Sequence, residues 1–248
     1  MEQNQIEDAA MFLLHLRTQR DQVSGLPGEL APNTIEDAYA IQDALHRFAG
    51  WPVNLIKVGC TSELARQALG IPHPIGGRVP DEGVFADGET VPRAFLAGAP
   101  MLECEIALRV GPDGAPDAIA PAIELVNPRF KDVSRVSGAS LIADNSAGCG
   151  AVLGTSIDLE DDADLADLVI SLRAGDEEIA AGSTEALDGG PLASYQWALD
   201  HEREHGRSVE PGTWVITGTC SGLTPTEFGA TYSADFGWIG SVTFTLGA

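Results

Sequence analysis

Glu103 and Glu105 alternate with apolar residues in Leu102-Glu103-Cys104-Glu105-Ile106-Ala107-Leu108-Arg109-Val110. This is the period of two of a β-strand, which puts the apolar side chains on one face and the two carboxylates on the other. Carboxylates on alternate strand residues lie roughly 7 Å apart at Cα. They repel unless they are solvated, protonated or bridged by a cation. Two readings stand at this point: a half-exposed strand showing charge to water, or a portion of a cation site. A third acid, Glu124, lies in Pro121-Ala122-Ile123-Glu124-Leu125-Val126 with apolar neighbours on both sides, and a buried acid needs a partner. If that segment folds beside the first strand, three carboxylates converge. Such a cluster suits a hard, oxygen-preferring Mg²⁺ or Mn²⁺ with positions left for water or substrate, and it lacks the His or Cys that zinc favours.

Lys57 is the second candidate. Lys57 and Lys131 are the only lysines, and Lys57 sits in the apolar run Leu55-Ile56-Lys57-Val58-Gly59. Burial lowers a lysine's pKa by penalising the charged form, which suits it to proton transfer or to holding an anionic substrate; the alternative is an edge-strand lysine reaching water. Gly59-Cys60-Thr61-Ser62 then leads into a helix start whose hydroxyls and N–H groups can receive a carboxylate, or Ser62 is an ordinary cap. Ala143-Asp144-Asn145-Ser146-Ala147-Gly148 and Thr217-Gly218-Thr219-Cys220-Ser221-Gly222 are rich in small polar groups and can be substrate loops or plain turns. Arg129 either orients a carboxylate or pairs at the surface, and His73 reads as an exposed loop residue. No Ser-His-Asp signature or phosphate loop is present.

These residues need elements to hold them. Ile6, Ala9, Ala10, Leu13 and Leu14 recur at helical spacing, followed by polar Arg17, Gln19 and Arg20. Thr34 and Asp37 form an N-cap pattern before a second helix marked by Ile35, Ala38, Ile41, Leu45 and Phe48, which Gly50 and Pro52 stop. Val53 to Gly59 reads as a strand, Ser62 to Leu69 as a short helix closed by Gly70, and Pro72 to Gly77 as loop. From about Leu102 short strands separated by Gly, Pro, Asn and Asp predict a β-rich body. Asp158 to Asp167, which includes Asp161, reads as a solvated turn and helix start. Pro191 to His205 reads as helix, and Trp214 to Thr217 and Ser241 to Leu246 as closing strands. The expected division is an N-terminal helical part, 1–90, packed on a β-rich catalytic core, 91–248, both within one structural unit.

The 248 residues carry 37 acidic against 14 basic side chains, a formal charge of −23. That balance argues against nucleic-acid and membrane-surface partners and fits a metal cation better. The N-terminus lacks the basic start and apolar core of a signal peptide, and no run reaches about 18 apolar residues, so a cytoplasmic protein is expected. The four cysteines form no C-x-x-C pair and read as buried thiols.

In order along the chain, several motifs resemble the fumarylacetoacetate hydrolase superfamily and, within it, the branch of 2-oxopent-4-enoate hydratases and 4-oxalocrotonate decarboxylases. Ala38-Tyr39-Ala40-Ile41-Gln42 is similar to that branch's second-helix pattern and Lys57-Val58-Gly59-Cys60-Thr61-Ser62 to its K-[IVM]-G-x-T-S segment. Glu103-Cys104-Glu105 resembles the E-x-E metal pair, and Pro121 to Val126 the segment with the third acid. Ala143-Asp144-Asn145 resembles the later D-N turn, and Thr217 to Gly222 the G-T-x-S-G loop. The resemblance implies an α+β fold with a mixed β-roll core. It implies Mg²⁺ or Mn²⁺ held by Glu103, Glu105 and Glu124, Lys57 as the catalytic residue, and Thr61, Ser62, Asn145 and Thr219 around a small 2-oxo acid. It also implies a homo-oligomer.

The implied activity is a hydratase of unsaturated 2-oxo or 2-hydroxydienoic acids, with a 4-oxalocrotonate-type decarboxylase next. An acylpyruvate hydrolase and a non-catalytic oxo-acid-binding homologue follow. Two departures bear on this ranking. Glu105 and Glu124 are 19 residues apart (124 − 105), shorter than is usual for the branch, which predicts a thinner pocket cover. Pro74-Ile75-Gly76-Gly77 replaces the P-D-[FY]-G of many hydratases, and Ile75 cannot shuttle a proton.

Overall fold

The computed structural model describes residues 1–160 and 162–248; Asp161, within the acidic stretch singled out above, lies outside the described residues. Helix α1 (Gln3–Gln19) and α2 (Ile35–Ala49) form where the apolar spacing predicts them. The Thr34 hydroxyl accepts the Asp37 N–H at 3.1 Å, and Gly50 closes α2 in the left-handed conformation. Ala9, Ala10 and Leu13 of α1 and Ala38, Ile41 and Leu45 of α2 are fully buried in one shared cluster. In sequence there follow β1 (Val53–Gly59), α3 (Glu63–Leu69), β2 (Ile75–Pro80), β3 (Val84–Ala86), β4 (Thr90–Val91), β5 (Met101–Val110) and β6 (Pro116–Val126). Then come α4 (Gly138–Ala143), β7 (Gly148–Leu153), β8 (Ile157–Asp158), β9 (Val169–Ala174), β10 (Glu177–Ser183) and α5 (Gly190–Glu204). The chain closes with β11 (Trp214–Thr219), β12 (Thr224–Pro225), β13 (Thr231–Asp235) and β14 (Ser241–Leu246).

Among the described residues these strands make two mixed sheets, so the class is α+β, as expected. The larger runs β2-β1-β11-β5-β6-β7-β3, with β12 on β5 and β8 on β6; the smaller runs β10-β9-β13-β14-β4. Leu102, Cys104, Ile106 and Leu108 of β5 share one core with Ile170, Leu172, Val242 and Phe244 of the smaller sheet. The opposite face of the larger sheet carries small residues, Ala107, Ala120, Ala122 and Ala151, packed with Leu55, Val79 and Ile216 from strands further along. The sheet therefore curls into a roll narrow enough to demand alanine inside, and α1, α2 and α4 close over one end.

Three expectations change. Residues 75–77, expected as the end of a loop, open strand β2, because Gly76 and Gly77 admit close neighbours rather than a turn. The body is not built of short strands alone, since β5 has ten residues and β6 eleven. No helix starts within the described residues of 158–167. Strands from both sides of residue 90 share one sheet, where β1, β2 and β3 join β5 and β6. No helix among the described residues is long and apolar enough to cross a membrane.

Candidate functional site

Antiparallel pairing of β5 and β6 sets Glu103 opposite Glu124 and Glu105 opposite Ala122, so all three acids occupy one face. One oxygen from each lies within 4.8 Å of the others. Glu105 and Glu124 are fully buried and Glu103 half-buried. This removes the water-facing reading of the strand: its second face turns into the roll. Gly218 donates its N–H to Glu105 Oε2 at 2.7 Å. Glu105 Oε1 and both Glu124 oxygens accept no hydrogen bond.

Lys57 enters from β1, between β2 and β11, so it is neither on an edge nor in water. Its Nζ lies 3.1 Å from Glu124 Oε1, an ion contact without hydrogen-bond alignment, and donates to the Ser146 carbonyl at 3.0 Å. Burial works against its charge, but Glu124, Glu103 and Glu105 together outweigh burial, and its pKa goes up, not down as burial alone predicts. Burial first, then Glu124, pushes Glu103 up to about 7 against the pull of Lys57, with Thr219 hydrogen bonding favouring the charged form. Burial, Glu124 and Glu103 hold Glu105 well above the usual carboxylate range.

The residues fit a divalent cation. Three carboxylates and one ammonium leave two negative charges, two buried oxygens, Glu105 Oε1 and Glu124 Oε2, have neither a hydrogen bond nor an ion contact, and the donor set is all oxygen. Among the described residues this trio is the group of acids, His or Cys with metal-holding geometry.

A cavity of about 600 Å³ opens over Lys57 and Glu103, and Thr61, Ser62 and Thr219 line it. The Thr219 hydroxyl accepts the Gly222 N–H at 2.8 Å, and Ser62 caps α3 through the Ala65 N–H at 3.3 Å. Gly218, at φ +103°, must be glycine, since a Cβ there would meet the Thr61 side chain at 2.5 Å. Asn145 is not brought to the cavity. Its Oδ1 accepts from His46 Nε2 and the Arg78 N–H, both at 2.9 Å, while Nδ2 donates to the Arg78 and Gly148 carbonyls. Its neighbour Ser146 lines the cavity instead. Ile75 also lines it, and a Cβ on Gly59 would lie 3.2 Å from Lys57 Nζ and 3.3 Å from Ile75, so the two side chains converge.

Other expectations are corrected here. Arg129 is buried rather than at the surface, donating to the Asn127 carbonyl and amide oxygens at 2.5 and 2.7 Å. His73 is half-buried beside Trp197, with ring centroids 6.3 Å apart, outside this cavity. The turn of the short connection from Glu105 to Glu124 lies beyond Val110, five residues and about 17 Å along the strand from Glu105. The cover comes from α3 and the segment 133–136. All four cysteines are free; Cys60 borders the cavity in a left-handed conformation (φ 56°) and the other three are buried.

Sequence reasoning missed the support beneath the site. Arg17, polar and near the end of α1, is buried and holds Asp144, whose neighbours Asn145, Ser146 and Ala147 are all left-handed (φ 56°, 51° and 61°). Nothing in the helical pattern marks Arg17; Gly218 was visible only as a small residue in a polar run.

No family model matches the chain. A 2-keto-4-pentenoate hydratase of Burkholderia vietnamiensis is 31% identical over 224 residues, 84% of this chain and 85% of that protein. A 4-oxalocrotonate decarboxylase of Pseudomonas putida is 27% identical over 224 residues, 84% of each. Among solved structures, 4-oxalocrotonate decarboxylase from Pseudomonas putida G7, complexed with magnesium and adipate, superposes with a TM-score of 0.89 at 22% identity over 99% of this chain and 98% of that one.

Proposed function

Because the chain belongs to the fumarylacetoacetate hydrolase superfamily, in its branch of 2-keto-4-pentenoate hydratases and 4-oxalocrotonate decarboxylases, we propose that it is a metal-dependent lyase of unsaturated 2-oxo acids. Hydration is its first activity. The observation that carries this reading is the meeting of three carboxylates, with unfilled buried oxygens, beside Lys57 at the foot of a cavity. Glu103, Glu105 and Glu124 would hold Mg²⁺ or Mn²⁺. Such an ion supplies a Lewis acid for the carboxylate and oxo oxygens of the substrate.

The chain's own groups do the rest. An ammonium has three donors; Lys57 commits one to the Ser146 carbonyl, sets another against Glu124, and keeps one for a substrate oxygen or for a proton passed to the carbon chain. The Gly218 N–H holds Glu105 in place. Thr61 and Thr219 present hydroxyls at the cavity wall, and α3 with residues 133–136 limits water above it. Net hydration adds the water's oxygen at the far alkene carbon and a proton at the adjacent carbon.

Ile75 favours a second reading, decarboxylation of a vinylogous oxo acid. Its side chain converges with Lys57 in the cavity and can activate no water, and loss of carbon dioxide needs none. Residence in the cytoplasm and assembly as a homo-oligomer belong to the same proposal.

The test is an ultraviolet assay with a panel of 2-hydroxydienoates and 4-oxalocrotonate, with and without Mg²⁺, scoring carbon dioxide release separately from loss of conjugation. Glu124→Gln should abolish metal-dependent turnover in a folded protein. Lys57→Ala should lower the rate by about 10²-fold or more with metal affinity kept or raised. Undiminished activity in Glu124→Gln overturns the ligand role, and equal loss of rate and metal binding in Lys57→Ala makes the lysine structural.

A further inference from the structure

The cavity over the carboxylates gathers its charge at one end. Lys57 and Glu103 lie at its foot; Ala65 and Leu69 of α3, Val133, Val136 and Leu141 form apolar wall. Leu141, with Ile75 and Val126, belongs to the buried cluster under the helices, so this wall is an open face of that core. Among the described residues Lys57 is the only cationic side chain lining the cavity, and it is committed to Glu124 and the Ser146 carbonyl. Two arginines stand close without entering. Arg66 is held by Asp188 at 2.7 Å and by the Cys60 and Thr61 carbonyls. Arg135 has a side chain 81% exposed and pairs with Asp132 at 3.2 Å.

We infer that the substrate is a monocarboxylic 2-oxo acid with an uncharged, apolar tail longer than a bare five-carbon chain, and that Leu69, Val133 and Val136 select it. The inference rests on the reading above that the site takes 2-oxo acids, and it names which of them. A second carboxylate placed among these side chains gives up its water and meets no counter-ion; of the hydroxyls beside that wall, Ser134 already donates to Asp132 at 2.6 Å and Ser62 is engaged as the cap of α3. An alkyl or aryl tail gains at the same place by covering apolar surface. The volume agrees: about 600 Å³ is within the range of pockets that take ligands much larger than a five-carbon acid.

The test is calorimetric titration of the Mg²⁺-saturated full chain with saturated, unreactive probes: 2-oxobutanoate, 2-oxohexanoate, 2-oxooctanoate and 2-oxoadipate, the last matched to 2-oxooctanoate in heavy atoms. Affinity should rise about two- to fourfold for each added methylene. 2-Oxoadipate should bind at least about tenfold more weakly than 2-oxooctanoate, its second charge being unmatched. Arg135→Gln should change neither, while Val136→Arg should tighten 2-oxoadipate and weaken 2-oxooctanoate. A flat alkyl series, 2-oxoadipate binding as tightly as 2-oxooctanoate, or loss of 2-oxoadipate binding in Arg135→Gln each overturns the inference and leaves the oxo-acid reading standing. Failure of every probe to bind the metal-loaded protein overturns both.

Discussion

Replacing Arg17 with methionine removes a guanidinium far from the reacting atoms and should still damage the site. Arg17 is buried and donates Nε and Nη2 to Asp144 Oδ1 at 3.1 and 2.7 Å, Nη2 to the Asp144 carbonyl at 2.7 Å, and Nη1 to the Gly148 carbonyl at 3.2 Å. Asp144 is fully buried, and its other oxygen takes the Arg129 N–H at 2.6 Å. Methionine keeps the length and apolar stem but strands the carboxylate, and breaking a buried pair from one side costs about 3–5 kcal/mol. The Arg129 N–H softens this toward about 3 kcal/mol. For a chain of this length about 1 kcal/mol moves Tm by roughly 2–4 °C, so thermal unfolding followed by circular dichroism should shift down by about 6–12 °C. The three left-handed residues after Asp144 each cost energy to hold, so Ser146 should lose its register on Lys57 and turnover should fall as well. In Arg17→Met with Asp144→Asn no charge is stranded, and the pair should be more stable than Arg17→Met alone. A shift under about 2 °C in the single variant, or a double variant no better than the sum of its single changes, refutes the claim that this pair carries the loop.

Gly76→Ala should destabilise by about 1–3 kcal/mol, because a Cβ there would come within 2.7 Å of the buried His201 ring. Denaturant titration checks this, and His201→Ala in the same chain should recover most of the loss. His46 is held neutral: burial, then the Arg78 charge, pushes its pKa down to about 3 against the hydrogen bond to Asn145. The unfolded imidazole binds its proton near pH 6.5, so between that value and about 3 the unfolded state binds more protons. Stability from this group is complete above pH 6.5 and is lost as pH falls through the window, at up to about 1.4 kcal/mol per pH unit. His46→Gln should flatten the measured slope by up to one proton, and an unchanged slope between pH 4 and 6 would place the titration elsewhere.

Local patterns carried the helices and their ends. The apolar spacing from Ile6 and Ile35, the caps at Thr34 and Ser62 and the stop at Gly70 each act within a few residues, so they are legible without tertiary context. Strand β2 was not legible, because Pro74-Ile75-Gly76-Gly77 carries turn residues for a reason that lies elsewhere in the chain. A Cβ on Gly77 would sit 2.7 Å from the Asn145 carbonyl and 3.1 Å from the Lys57 stem. Glycine there marks the close approach of another segment, and a sequence shows the glycine without the approach. Asn145 and Ser146 are neighbours with different surroundings: Ser146 lines the cavity, while the Asn145 side chain bonds to His46 and to the Arg78 and Gly148 backbone.

The carboxylate trio was legible as residues but not as a buried site. Alternation in β5 separates two faces without saying which is wet; in a flat sheet with one core the charged face goes outward, and in a curled sheet it turns in. The register between β5 and β6 then decides whether Glu103 meets Glu124 or a neighbouring apolar residue, since a slip of one would put Glu124 against the opposite face. With 37 acids in the chain, composition cannot single out these three. What did point to burial was the apolar company on both sides of Glu124, a local sign of a tertiary cost. Lys57 offsets only one of the three charges, and the remaining two equal the charge of one divalent ion. The same arithmetic constrains every variant: removing Lys57 raises the site's negative charge and should favour a cation, whereas Glu→Gln lowers it and should weaken one. Opposite effects on ion affinity from the two substitutions therefore distinguish a cation site from a buried ion pair that merely closes the roll.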